Sequence, residues 1–488
     1  MKAEKRVNPA FCHVLLQKQP RNAGRFVPEA EHGWQTRSKL LPIMAYSSLW
    51  LPQIHFLASL GFMALFLGAS LGLAWLLAYF RLRSLRADGA GWLAAYRFWV
   101  RVFALALALG MTSGIAVLIQ AGSLWPGLFV KAGDVIGPLL AAALVCGFIF
   151  KSCFLGAMLF AERRLTDRAH ALMALMVAVG LTLTLFWLVA LVSWMQTPAG
   201  VWVFDDKYGV RDWAAVVFNP SFPWYAGLYL AACLACVAFL VLAVTAWQSL
   251  WHPLGDGERH AFRTSMVLGG ASLVVLVCMA IGAGQMTARL LPAKAAATAG
   301  YWHSGSPPDF VLFALPSEAA GGNRASLHWP RAGGRWLGKN EEGELRGLDQ
   351  FAGMSPPVAA TFLSFRLAVL AGALMAVCLA ATAVRLRGQA DPSGLPRWWK
   401  RWLVSMGIGG SLLMLAGVTY VMVGAHPYAI TGAVTLQEAA AVIEPGELFL
   451  GMLAYLAVYG ICIAAFIGLV GHAARYGVVP VARHRGRA

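Results

Sequence analysis

Nine apolar stretches, each long enough to cross a bilayer, constrain this chain more than any motif in it. They lie at about 48–80, 92–121, 134–161, 169–195, 222–248, 264–284, 359–385, 402–424 and 447–471. Crossing a hydrocarbon core of about 30 Å takes about 20 residues of helix. Lipid offers the backbone no hydrogen-bond partner, so each stretch must close its own bonds as a helix. With 59% of the 488 residues hydrophobic and only 12% charged, the rest could not coat a water-soluble globule, which excludes an ordinary soluble domain. The fold class that follows is an all-α polytopic membrane protein with about nine transmembrane helices.

Basic residues set the orientation. The connections after the first, third, fifth and seventh stretches carry Arg81, Arg83 and Arg86; Arg163, Arg164 and Arg168; Arg259 and Arg263; and Arg385, Arg387, Arg397, Lys400 and Arg401. The positive-inside rule puts all of them in the cytoplasm, together with a tail bearing Arg475, Arg483, Arg485 and Arg487. An odd number of spans then leaves the N-terminus outside and the C-terminus cytoplasmic. The net charge of +17 follows from this asymmetry, so the expected partner of the basic surface is membrane lipid and not nucleic acid.

The chain divides into a basic N-terminal extension at 1–43, six helices within 44–284, an external segment at 285–357, three helices within 358–475 and a basic tail at 476–488. The extension holds Lys2, Lys5, Arg6, Lys18, Arg21, Arg25, Arg37 and Lys39 on the side where the rule disfavours them. Either it is a disordered tail or translation starts at Met44. The second reading is favoured, because the stretch has neither the apolar core of a signal peptide nor helical periodicity. The segment at 285–357 is rich in Gly, Pro and polar residues and is longer than structureless loops usually are, which points to function. All cysteines but Cys12 lie inside apolar stretches, where they act as small hydrophobes. Cys233 and Cys236 spell C-x-x-C, but mid-membrane and without a second pair they are not expected to hold metal.

Several short motifs recur in order. Trp194-Met195-Gln196-Thr197-Pro198-Ala199-Gly200 resembles the W-M-Q-x-P-x-G that closes the fourth helix of cytochrome bd quinol oxidase subunit I. Phe98-Trp99-Val100-Arg101-Val102-Phe103, Gly110-Met111-Thr112-Ser113-Gly114, and Gln120, Gly122 and Trp125 are similar to that family's F-W-x-K-x-F, G-x-x-T-G and Q-x-G-x-x-W. Asn219-Pro220, Phe365-Arg366 and Gly424-Ala425-His426-Pro427-Tyr428 resemble its N-P, F-R and G-R-Q-P-W. Pro292-Ala293-Lys294-Ala295-Ala296-Ala297 and Phe310 to Pro316 resemble its quinol loop. The likeness covers essentially all of 48–475. It implies a nine-helix, subunit-I-like arrangement in a bacterial inner membrane, two b-type hemes and one d-type heme, quinol oxidation at the external loop with Lys294 as a quinol-binding candidate, and oxygen reduction.

That chemistry depends on axial ligands, and the slots the resemblance assigns are mostly altered. Met63 stands where the family has a histidine ligand to a high-spin heme, leaving a thioether as a weak candidate ligand. Leu228 and Ala368 stand at the histidine and methionine of the low-spin heme, and neither can coordinate iron. Leu118, Ala143 and Met422 replace carboxylates, Lys151 reverses the charge of another, and Ala299 takes the glutamate position of the loop. Of eleven histidines, His55, His426 and His472 are read as lying in or at the edge of spans. His55 shares a helix face with Met63 about 12 Å away. It is a candidate heme ligand or an interfacial histidine; His426 is a second candidate, and His472 reads as interfacial. Arg101, Lys151 and Arg366, with Gln120, are polar groups inside apolar stretches, and a charge there costs about 2.5–3.5 kcal/mol on insertion scales. Snorkelling accounts for Arg101 and offers an account of Lys151, whereas Arg366 calls for a polar or anionic partner: heme propionate, quinone oxygen or lipid phosphate.

Two functions remain open at this point. One is a heme-poor paralogue that binds few or no hemes and pairs with another bd-type subunit, a heme-bearing subunit I, subunit II or both. The other is an active quinol:oxygen oxidoreductase with relocated ligands.

Overall fold

The computed structural model describes residues 31–304, 309–330, 346–351, 353–386 and 391–476, with side chains from Leu49 onward. Residues 1–30, which make up most of the expected basic extension, and the tail from 477 lie outside them. Among the described residues nine helices are long and apolar enough to cross a membrane: α1 (Leu49–Arg83), α2 (Gly89–Leu124), α3 (Pro126–Phe160), α4 (Asp167–Gln196), α5 (Phe222–Gln248), α6 (Asp256–Leu290), α7 (Val358–Leu386), α8 (Arg397–Val423) and α9 (Pro445–Tyr476).

Several run past the apolar stretch that marks them. α6 begins at Asp256 with Glu258 accepting from the Gly255 N–H, and α3 begins at Pro126, whose ring suits a first helical position. Their polar end turns need water or headgroups rather than hydrocarbon, so hydropathy alone does not reveal them. Burial separates centre from periphery. The apolar windows of α1 and α5 are 67% and 61% buried, that of α9 only 11%, so α1 and α5 form the middle of the bundle and α9 flanks it. Gly72 lets them touch, since a Cβ there would lie 2.7 Å from the Cys233 carbonyl oxygen. Cys233 and Cys236 are buried packing residues on that face of α5.

At one end of the bundle, Arg81 is 2% exposed instead of standing in a solvated loop. Its Nε donates to His170 Nδ1 at 3.0 Å and its Nη2 pairs with Asp167 at 2.6 Å. Because Nδ1 accepts, the proton sits on His170 Nε2, which donates to the Met158 carbonyl at 3.1 Å. The expectation that only His55, His426 and His472 lie in or beside spans is therefore corrected: His170 is inside α4 and fully buried. It ties α1, α3 and α4 together.

The opposite end carries the long connections. The 197–221 segment forms the hairpin β1 (Val201–Phe204) and β2 (Lys207–Val210), with Val201 opposite Val210. After α6, a short helix Pro292–Ala299 ends at Gly300, whose φ of +65° suits glycine. The antiparallel strands β3 (Phe310–Ser317) and β4 (Gly322–Trp329) follow. Strands β5 (Tyr428–Ile430) and β6 (Val434–Thr435) lie between α8 and α9.

Candidate functional site

At the end of α4, Trp194 is fully buried and its indole N–H donates to the Ala199 carbonyl at 3.1 Å, closing the turn through Pro198 to Gly200. Gly200 has φ +72°, and its carbonyl accepts from the N–H groups of Arg211 and Asp212. The Met195 carbonyl accepts from Thr431 N–H at 2.9 Å, which joins the turn to the β5–β6 hairpin. Asn219 donates to Ser193 Oγ and the Val216 carbonyl and accepts from the Phe222 N–H, fixing the entry to α5.

Gln196 and Lys294 meet beneath the loop. Lys294 Nζ donates to Gln196 Oε1 at 3.1 Å and to the Val421 carbonyl at 3.4 Å, and lies 4.7 Å from the centre of the Tyr420 ring. Its stem crosses Gly424, where a Cβ would come within 2.7 Å of Lys294 Cε. Lys294 is 3% exposed, and burial with no carboxylate beside it pulls its pKa down to about 7.

Arg366 completes the arrangement. Its guanidinium donates to the carbonyls of Thr298 at 2.7 Å, Val311 at 2.7 Å and Leu312 at 3.3 Å, and sits 4.0 Å from the centre of the Phe362 ring. The partners of this intramembrane cation are thus backbone oxygens of the short helix and of β3. Trp302 and Asn323 extend the fastening, with the indole donating to Asn323 Oδ1 and Asn323 Nδ2 to the Gly300 carbonyl.

Below this loop lies a cleft of about 1000 Å³ with a mostly apolar lining. It gathers positions scattered over five helices: Met63, Leu118, Ala143, Lys151 and Met422, together with His426 and Gln196. His426 is half-buried with no hydrogen-bond partner for its ring among the described residues, and burial pulls its pKa down to about 4, so the imidazole is neutral. Lys151 opens a π-helical turn, Lys151–Leu155, within α3.

The other candidates fall elsewhere. His55 is 5% exposed and shares a 3.1 Å hydrogen bond with Gln120; His55 Nδ1 and Gln120 Oε1 are buried without a partner among the described residues. That pair does not line the cleft. Arg101 is exposed on α2, and His472 is exposed against Tyr476 in the last turns of α9. Leu228 packs against a cluster around α3 and α4, whereas Ala368 packs against one built on α5, α7 and α8.

Residues 51–478 match the model of the cytochrome bd terminal oxidase subunit I family. This chain belongs to that family. It is 26% identical over 443 residues to cytochrome bd ubiquinol oxidase subunit 1 of Bacillus subtilis (strain 168), covering 87% of this chain and 92% of the relative. To cytochrome bd-II ubiquinol oxidase subunit 1 of Escherichia coli (strain K12) it is 24% identical over 487 residues, covering 85% and 93%. The structure of bd oxidase from Geobacillus thermodenitrificans superposes with a TM-score of 0.78 at 22% identity, over 87% of this chain and 98% of that one. The chain is therefore a multi-pass membrane protein with the subunit I fold.

The family implies heme b, heme d and quinol, and this chain's residues fit the hemes poorly. At the positions that the family resemblance assigns to the low-spin heme, Leu228 and Ala368 offer hydrocarbon to two different packing clusters. α5 and α6 press together there, a Cβ on Gly227 falling 2.5 Å from Met279 Sδ. The cleft has the volume of a cofactor site. Among the described residues its possible donors are one imidazole, thioethers, the Tyr428 phenol and the Lys151 amine, with no carboxylate in the lining.

Proposed function

We propose that this chain is a heme-poor subunit I paralogue in a bd-type respiratory complex of a bacterial inner membrane. It supplies helices and a docked loop and pairs with a subunit that carries the hemes. The basic connections, on this reading, face the cytoplasm and the Lys294 loop faces outward.

The observation that carries the reading is the hydrocarbon at Leu228 and Ala368, each packed into a separate cluster. A low-spin heme needs two axial donors, and neither Leu228 nor Ala368 has an atom that can coordinate iron. The loop residues support it from the other side: Lys294 and Arg366 hold protein oxygens, which is a structural use of cations that the family motif brings along. A second reading, an active quinol oxidase with relocated ligands, draws on His426, a neutral imidazole facing the same cleft as Met63 and Met422.

Purification of the tagged full-length chain from its native membrane, followed by mass spectrometry, separates the two. The paralogue reading expects a second subunit-I sequence with histidine and methionine at the ligand slots. Recovery of a small subunit alone, with quinol oxidase activity intact, contradicts it.

A further inference from the structure

The cleft has a cation at one end and no anionic side chain paired with it among the described residues. Lys151 Nζ takes part in none of the ion pairs among the described residues. Gly147, one turn earlier, lies beside the ammonium: a Cβ there would be in van der Waals contact with Nζ at 3.6 Å. The π-helical turn that begins at Lys151 inserts one residue into the helical register, a distortion found often at binding sites. An unpaired charge within a span is costly, and an anion would offset that cost.

Depth identifies the kind of anion. α3 has 35 residues, about 52 Å at 1.5 Å per residue, which is longer than an apolar core of about 30 Å. Lys151 lies nine residues before its end, about 14 Å, in the half of α3 that leads to Arg163, Arg164 and Arg168, and a lysine stem extends toward headgroups from such a position. From there the lining runs along α3 back to Leu128, about 35 Å of helix, so the cleft is long and narrow. It is also open sideways. Ile115, Leu118 and Phe148 line it yet are exposed, and a Cβ on Gly114 of α2, also in the lining, would meet nothing within 4 Å. A ligand can therefore enter from the bilayer itself.

We propose that the cleft between α2 and α3 holds an acyl chain of an anionic glycerophospholipid whose phosphate pairs with Lys151. The proposal rests on the heme-poor reading, because a heme in the cleft would exclude the chain. It gives Lys151, which the family resemblance makes a charge reversal, a ligand of its own.

The test is native mass spectrometry of the full chain with its co-purified subunits, after incubation with equimolar dioleoylphosphatidylglycerol and dioleoylphosphatidylcholine. The wild type is expected to retain one phosphatidylglycerol with about tenfold preference. Lys151→Arg should keep that preference and Lys151→Gln should lose it. Leu118→Trp fills the cleft without touching Lys151 and should lose retention altogether. Equal retention of both lipids by the wild type, or an unchanged preference in Lys151→Gln or Leu118→Trp, overturns the proposal. Stoichiometric heme on this chain itself, seen when it is released from its co-purified subunits in the gas phase, without bound lipid overturns it and the heme-poor reading together, while neither heme nor lipid on this chain overturns the lipid proposal alone.

Discussion

The loop end of this molecule and the cleft beneath it are built from the same family motifs, yet the motifs do different work in the two places. At the loop end, Gln196, Lys294 and Arg366 each end on a protein oxygen, and the short helix Pro292–Ala299 and β3 are fastened to α7 and α8 through them. In the cleft, the positions that the family resemblance reserves for ligands and carboxylates are Met63, Leu118, Ala143 and Met422. They converge as that resemblance implies, but they bring thioether and hydrocarbon. The contrast separates two demands that a heme protein normally meets with one sequence. Motif residues that bond to backbone keep the architecture whatever the cofactor. Residues that bond to iron can be replaced by hydrocarbon of similar bulk at little cost in packing.

The comparison breaks most readily at Arg366. Replacing it by alanine removes three charge-assisted donors, which should weaken loop docking by about 3 kcal/mol. Proteolysis within 301–357 should then accelerate on the order of a hundredfold, and Arg366→Lys should recover part of the loss. A rate unchanged in Arg366→Ala would mean that the loop is held some other way.

A smaller effect is expected at Lys294, and its sign is set by pH. Its folded pKa is about 7 against an ordinary value near 10.4. Below about 7 both folded and unfolded chains hold the proton, and the cost of burying the charge is fully present. Between about 7 and 10 the unfolded chain binds more protons than the folded one, so stability rises with pH. Thermal unfolding in detergent at pH 6.5 and pH 9 should show the wild-type midpoint rising by a few degrees. In Lys294→Met this rise should be absent; its persistence would assign it to another group.

The smallest effect belongs to the cleft. Met63→Leu conserves volume and should cost less than about 1.5 kcal/mol while leaving heme content where it was. A fall in bound heme in that variant would make Met63 a ligand and erase the contrast.

Much of this was legible in the sequence because the bilayer leaves so few options. Each of the nine apolar stretches coincides with a helix, and the error lies at the ends, where turns such as Asp256–Glu258 are polar. The motif around Trp194 could be recognised as a helix-end signature, but not as the junction of α4, the entry to α5 and the β5–β6 hairpin. That requires partners up to 236 residues away, Met195 to Thr431. His170 escaped notice for the same reason: its meaning depends on Arg81, 89 residues earlier. A basic residue in the last turn of a span, followed by a histidine just inside another on the same side, is the signal that could have found it. Arg366 is legible as an intramembrane cation that needs a partner. Carbonyls of a distant strand are not visible in a one-dimensional pattern, and an anion was the natural expectation.

The central claim is that the subunit I architecture persists here without a low-spin heme. A pyridine hemochrome assay on the purified full-length chain, with its reduced-minus-oxidised spectrum, tests this most directly. Heme b well below one per chain and no low-spin alpha band are expected. Stoichiometric heme b with a clear alpha band would contradict the claim.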